Sequence, residues 1–276
     1  MNRPLLLKLG GELVETPAGR SNVAAFAAAT AARRPLVIVH GGGRAIDAEL
    51  DRRGVAPKKV DGLRVTDATT LDVVVAVLAG SANTELVAAL VAAGVRAVGL
   101  TGVDAGLGQA ARARPIRSTA GDADLGFVGD PGDADPSLVT LLVAHGYVPV
   151  VASIGVERSA NGRPPGPGLL NVNADVMACR LAAALGDCDL AIAGATAGVL
   201  DGEGRSIRVL DAAGIDRLIA AGTATAGMVA KLNAAQTALA AGVASVRIID
   251  GRTLDATHGV DAAPGTQLVA REGDTT

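Results

Sequence analysis

The sequence predicts an α/β chain, a three-layer αβα sandwich with a mainly parallel central sheet. Three features carry that expectation: short continuous apolar runs recur along the 276 residues, each run closes on glycine, and the segments between them are alanine-rich with helical period. A run that is apolar at every position is buried on both faces, and intervening helices imply right-handed crossovers between parallel strands. The length suffices for one large domain or for two lobes sharing one sheet, and 49% hydrophobic content can fill the core.

In chain order the strands fall at "PLLLKLG" (4–10), "PLVIVHG" (35–41), "RAVGLTG" (96–102), "YVPVVASIG" (147–155), "DLAIAG" (189–194) and "SVRIIDG" (245–251). Alanine-rich stretches at 23–32 and 234–241 read as strong helix formers, not as low-complexity disorder. Between Arg112 and Pro136 charges, glycines and alternation fit a β-hairpin excursion and then a loop. Residues 157–168, "ERSANGRPPGPG", hold prolines and glycines that no packed helix or central strand accepts. The lobe boundary is set there, giving lobes of 1–168 and 169–276. In open sheets of this kind ligands gather at the carboxyl ends of the strands, which is where the glycines sit.

Composition removes several functions. A net charge of −3 and only three aromatic residues give neither a field nor stacking platforms for nucleic acid. The N-terminal "MNRPLLLKLGGEL" lacks a long signal-type apolar region, and no apolar stretch free of Gly, Pro and charge reaches the roughly 20 residues of a bilayer span, so no membrane role is expected. Cys179 and Cys188 match no repeated metal-ligand spacing and read as reduced thiols of a cytoplasmic protein.

The glycines are the first sign of chemistry. At Gly41, Gly42 and Gly43 the absence of Cβ atoms lets backbone N–H groups approach an anion, and the following helix adds its positive end. Gly10 and Gly11 repeat the arrangement, with Lys8 just upstream. Neither turn is a Walker A or a G-x-G-x-x-G sequence, and either one alone also fits a tight strand-to-helix turn. His40, beside the glycines, reads as structural. Asp201 and Glu203 in "LDGEG" are explained by a hairpin turn. The apolar "LDVVVAVLAGSANTELVAALVAAG" reads as a packing helix and a subunit interface.

"KLGG" (8–11), "VHGGG" (39–43), "GLRVTD" (62–67), "LAGSANTEL" (78–86), "VGLTGVDAG" (98–106), "NVNAD" (171–175), "GVLDGEG" (198–204) and "GMVAKLNAA" (227–235) stand in an order and spacing that resembles the N-acetylglutamate kinases of the amino-acid kinase superfamily. The resemblance spans nearly the whole chain, and "GLRVTD" paired with "NVNAD" is its most specific part. It implies the amino-acid kinase fold and ATP-dependent phosphorylation of the γ-carboxylate of N-acetyl-L-glutamate, in arginine biosynthesis.

By the same resemblance Lys8 and Lys231 stabilise the transferring phosphoryl group, and Asp175 orients both. Gly10, Gly11 and Gly41 bind phosphate. Gly42, Gly43, Arg64 and Asn171 bind the acceptor, Arg64 through a planar fork suited to a carboxylate and Asn171 through its paired donor and acceptor. The nucleotide is expected over Ala195, Thr196, Ala197, Gly198, Val199, Leu200, Thr223, Ala224 and Thr225. Mg²⁺ is expected on the phosphates, mostly through waters and with no protein ligand.

Two departures stand out. Relatives usually carry Thr-Asp or Ser-Asp where this chain has Gly194 and Ala195, which implies weaker ATP binding or an altered donor preference, and Arg44 stands where many have proline. The chain starts close to its first lysine strand, so a homodimer insensitive to arginine is expected. An aminoadipate-type sister kinase and a non-catalytic sensing paralogue are the competing readings. An aspartokinase is disfavoured, since no regulatory domain follows residue 276.

Overall fold

The computed structural model describes residues 3–60, 63–118, 121–158, 168–224 and 226–270. The first strand, β1 (Leu5–Leu9), is buried along its whole length. Helix α1 (Pro17–Ala31) follows, started by Thr16, whose side chain accepts from the Gly19 amide, and by proline in the first turn. Next come β2 (Leu36–His40), α2 (Gly43–Arg52) and the short pair β3 (Lys59–Val60) and β4 (Leu63–Arg64). Asp67 caps α3 (Ala68–Val75), which runs through a π-helical stretch at Ala76–Ala82 straight into α4 (Asn83–Ala92).

Beyond β5 (Ala97–Thr101) lie β6 (Gln109–Arg112), β7 (Ile116–Ser118), β8 (Gly121–Ala123), β9 (Val128–Pro131) and α5 (Ser137–Ala144). Strands β10 (Val148–Ala152), β11 (Ile154–Glu157) and β12 (Leu169–Val172) lead to α6 (Ala174–Leu185) and β13 (Asp189–Gly194). The chain finishes with β14 (Val209–Asp211), α7 (Ala212–Ala220), α8 (Ala226–Ala240), β15 (Ser245–Asp250) and β16 (Gly265–Val269).

Among the described residues eight strands form the central sheet in the order β14-β16-β15-β13-β1-β2-β10-β5. Pairing is parallel from β15 to β5, and only the β15–β16 contact is antiparallel. All six apolar runs are strands of this sheet, as expected. One differs: "YVPVVASIG" splits at the buried Ser153, so that β10 stays in the sheet while β11 turns away to pair with β12. The turn is tight, because a Cβ on Gly155 would stand 2.8 Å from the Gly108 carbonyl oxygen.

Strand alternation sorts the core into two layers. Leu6, Val39, Val151 and Ile192 face α6 and α8, while Leu5, Leu7, Ile38 and Val150 face α1 and α4. Lys8 shares the face of Leu6 and so rises toward α6. A closed four-stranded barrel, β11-β12-β9-β6, stands beside the sheet. The expected hairpin excursion is β7 with β8. Most of the proposed boundary loop, 159–167, lies outside the described residues; β12, just after it, pairs back onto β9 and β11.

The helix Ala68–Ala92 is, by length and composition, apolar enough to cross a membrane, with mean hydropathy 1.8. The sequence reading passed over it because Asp72, Gly80 and Glu85 interrupt it. Its apolar residues Leu71, Val73, Val74, Leu78, Leu86 and Leu90 are buried against the rest of the chain, as in a core helix.

Candidate functional site

The two glycine turns meet backbone to backbone at the carboxyl ends of β1 and β2. A Cβ on Gly11 would lie 2.9 Å from the Gly42 Cα, and one on Gly42 would lie 2.9 Å from the Leu78 side chain. The φ of −175° at Gly42 is ordinary extended backbone, so close approach, not a special conformation, requires glycine here. At Gly43, the start of α2, nothing stands within 4 Å of that position. The turns border a cavity of 860 Å³ whose lining includes Lys8, Gly10, Gly11, Gly41, Gly42, Gly43, Arg64, Asn171 and Asp175.

His40 anchors this edge from below. It is fully buried, with Nδ1 3.1 Å from the Gly41 carbonyl and Nε2 3.0 Å from Asn83 Nδ2, which also donates to the Val150 carbonyl at 2.9 Å. Asn83 Nδ2 can only donate, so Nε2 accepts and Nδ1 carries the proton. Burial pushes the His40 pKa below its usual value, with the bond to Gly41 opposing. A neutral ring that fixes the glycine turn is the structural role expected of it.

Above the turns Asp175 joins two lysines. Asn173, not Asp175, caps α6, accepting from the amides of Asp175 at 2.8 Å and Val176 at 3.3 Å. Asp175 is thereby free to aim outward from the first turn. Lys8 Nζ lies 2.8 Å from Asp175 Oδ1 and Lys231 Nζ 3.8 Å from Oδ2, all three side chains being largely buried. Burial works to raise the Asp175 pKa, but the charges of Lys8 and Lys231 together outweigh it and hold the carboxyl below its ordinary range. For Lys231 burial wins, and its pKa is lowered despite Asp175. Such a buried pair of cations around one acid is arranged to receive more negative charge.

At the far end of the cavity stands Arg64, buried, 2.5 Å from Asp47 Oδ1 and donating to the Gly43 carbonyl at 3.0 Å. Asp47 also takes Lys59 at 2.8 Å. Burial raises the Asp47 pKa, yet its bonds to Arg64 and Lys59 bring it below the usual value. Thr66 donates to the Arg64 carbonyl and accepts from Asn171 Nδ2 at 3.1 Å, so β4 and β12 set both side chains in one frame. Arg112 and Arg114 line the same wall; Arg112 lies over the Phe127 ring and pairs with Glu157. Sequence reasoning missed Asp47, Lys59, Thr66, Arg112 and Arg114. For Arg112 and Arg114 the signal was a cluster of cations in "ARARPIR", a pattern that solvated loops share, and Thr66 stood inside "GLRVTD" without being singled out.

The expected nucleotide segment follows β13, and its residues are not among those lining the large cavity. Gly198 has φ +93°, and a Cβ there would meet the Thr266 amide nitrogen at 2.6 Å. Val199 is buried, its amide donating to Thr266 Oγ1 at 2.8 Å, while Leu200 is exposed and pairs with Ser206. Ala195, Thr196 and Ala197 complete the turn, and Thr223 and Ala224 connect α7 to α8; Thr225 lies outside the described residues. Arg44 points away from the large cavity into an ion pair with Glu15 at 3.0 Å. Cys179 and Cys188 are buried, and burial pushes both thiols up to about 12.

Residues 3–250 match the model of the Amino acid kinase family. The chain is 43% identical over 268 residues to the acetylglutamate kinase of Solibacter usitatus (strain Ellin6076), covering 96% of this chain and 98% of that protein. It is 38% identical to the chloroplastic acetylglutamate kinase of Arabidopsis thaliana, over 91% of this chain and 70% of that one. Among solved structures, smu.665 from Streptococcus mutans UA159 superposes with a TM-score of 0.75 at 27% identity, covering 96% of this chain and 98% of that one. N-acetylglutamate synthase from Neisseria gonorrhoeae, solved with coenzyme A and N-acetyl-glutamate, gives a TM-score of 0.77 at 23% identity, over 97% of this chain and 59% of that one. That likeness concerns the fold.

Proposed function

The chain belongs to the amino acid kinase family and, within it, to the acetylglutamate kinases, and from that premise we propose how its residues carry the reaction. The reaction is ATP-dependent phosphorylation of N-acetyl-L-glutamate on its γ-carboxylate, giving N-acetyl-L-glutamyl 5-phosphate for arginine biosynthesis. A carboxylate acceptor is already ionised, so no general base is needed, and the barrier is the meeting of two anions. Lys8 and Lys231 neutralise the phosphoryl group in flight, and Asp175 keeps the two ammonium groups together before it arrives. The amides at Gly10, Gly11 and Gly41 take phosphate oxygens. Those of Gly42 and Gly43 take the reacting end of the acceptor, whose α-carboxylate lies on Arg64 and whose acetamido group lies on Asn171.

ATP lies over the backbone of 195–200 and 223–225. Mg²⁺ neutralises charge on the phosphates when bound, and it suits a site where, among the described residues, no three His, Cys, Asp or Glu side chains form a cage. The acceptor is held mainly by residues up to 168 and the nucleotide by those from 169, with Asn171 and Asp175 reaching across. We place the enzyme in the cytoplasm as a homodimer. In support, β5 is an edge of the sheet and Val91 and Leu141 are exposed apolar residues on α4 and α5.

The single observation that carries this reading is that lysines from β1 and α8 converge on one buried carboxylate beside two touching glycine turns. An assay of ADP release with trapping of the acyl phosphate by hydroxylamine tests it. Turnover is expected with N-acetylglutamate and far less with aminoadipate. Equal turnover with both acids, or none with either, would contradict the reading.

A further inference from the structure

Among the described residues, Glu12 of the large cavity's lining makes no hydrogen bond or ion pair. Glu12 follows the first glycine turn, in the 3₁₀ turn Gly11–Leu13, and is half-buried. Its carboxylate folds back over the turn, with Oε2 2.6 Å from where a Cβ on Gly10 would stand and Oε1 3.5 Å from that position on Gly194. Gly10 and Gly194 are neighbours, because the Gly10 amide donates to the Ala193 carbonyl at 2.9 Å. The carboxylate therefore lies over the seam between the ends of β1 and β13, where the phosphate turn and the nucleotide segment adjoin.

We propose that Glu12 is the carboxylate that holds the divalent cation of the bound nucleotide in this chain, supplying across the seam the acid that the turn after β13 lacks at Ala195. The proposal rests on the kinase reading above. Glu12 makes no hydrogen bond or ion pair with a described residue, whereas Asp175 is taken by two lysines, Glu15 by Arg44 and Asp250 by Arg252. The remaining acid of the lining, Asp130, is exposed on β9, on the wall of Arg112 and Arg114. The charge that Glu12 acts on is Lys231: burial lowers the lysine's pKa, Asp175 raises it, Lys8 lowers it and Glu12 raises it.

An unpartnered carboxylate beside a triphosphate repels it unless a cation stands between them. Mg²⁺ is a hard ion that takes one or two carboxylates together with phosphate oxygens, so a single acid at the seam fits a metal that arrives with the nucleotide. In the free protein the same carboxylate joins Asp175 in favouring the charged form of Lys231.

Titration calorimetry with the non-hydrolysable analogue AMP-PNP, in excess Mg²⁺ and in EDTA, tests this. For the wild type Mg²⁺ is expected to tighten binding by roughly tenfold or more, and Glu12→Gln to remove that gain while binding in EDTA stays equal or improves. Glu12→Asp keeps the charge with a shorter reach and retains only part of the gain. Glu12→Gln combined with Ala195→Asp recovers it. A wild-type Mg²⁺ gain in Glu12→Gln, or no Mg²⁺ gain in the wild type, overturns the proposal alone. A wild type that binds no nucleotide in either condition overturns the kinase reading, and the proposal with it.

Discussion

Arg64 is a cation placed by a partner. Asp47 grips it from α2 and Thr66 fixes its backbone, so its guanidinium is presented as a rigid fork before any acceptor arrives. Lysine carries the same charge without the fork. Arg64→Lys is therefore expected to raise the KM for N-acetylglutamate about 10- to 100-fold with a much smaller change in kcat, read from steady-state kinetics at saturating ATP. His40 yields a second expectation, in pH. Its pKa is lowered in the fold, so above the unfolded value of about 6.5 both states hold it neutral and its bonds stabilise the fold in full; as pH falls below 6.5 the unfolded chain takes the proton first and that stability is lost. Melting temperature should drop more steeply between pH 7 and 5 in the wild type than in His40→Gln, whose amide does not titrate in that range. At this scale Lys8, Arg64 and Asp175 were singled out through the motifs that carry the family resemblance, and the fold brings Lys8 and Asp175 into contact. Asp47 and Glu12 were not, because what makes them matter is which side chain stands opposite, and that is set by pairing between segments far apart in the chain.

Among the elements, the two glycine turns act as one unit. Because Gly11 and Gly42 touch through their backbones, a methyl group on Gly11 has no side chain to displace, only the opposing turn. Gly11→Ala is expected to lower stability by about 1–3 kcal/mol and to lower kcat more than acceptor affinity, measured by denaturant unfolding and by kinetics. Six of the eight central strands were readable as apolar runs, with β1, β2 and β10 buried along their whole length, whereas β14 and β16, which alternate buried with partly or fully exposed positions, were not. The barrel strands β6, β9, β11 and β12 were not. They are four residues each, mix glycine, charge and apolar side chains, and are defined by partners such as Asn171 with Val128 and Val156 with Gln109. The π stretch at Ala76–Ala82 was equally invisible, since its residues have ordinary helical composition.

Across the whole molecule, one parallel sheet brings distant segments to a shared edge. Lys8 is the penultimate residue of β1, Asp175 lies in the first turn of α6 and Lys231 lies in α8, yet the register that pairs Lys8 with Ile192 and Val39 puts the three within ion-pair reach. The resemblance carried by the sequence motifs implied that the three meet; the strand register that brings them there could not be read from it. The account stands on that meeting, and N-acetylglutamate-dependent ADP release in Asp175→Asn beside the wild type tests it most directly. The substitution keeps size and leaves two buried ammonium groups without their counter-charge, so kcat, measured below the variant's melting transition, is expected to fall by about 10²–10³-fold, together with a lower melting temperature. Turnover by Asp175→Asn within a few-fold of the wild type would contradict it.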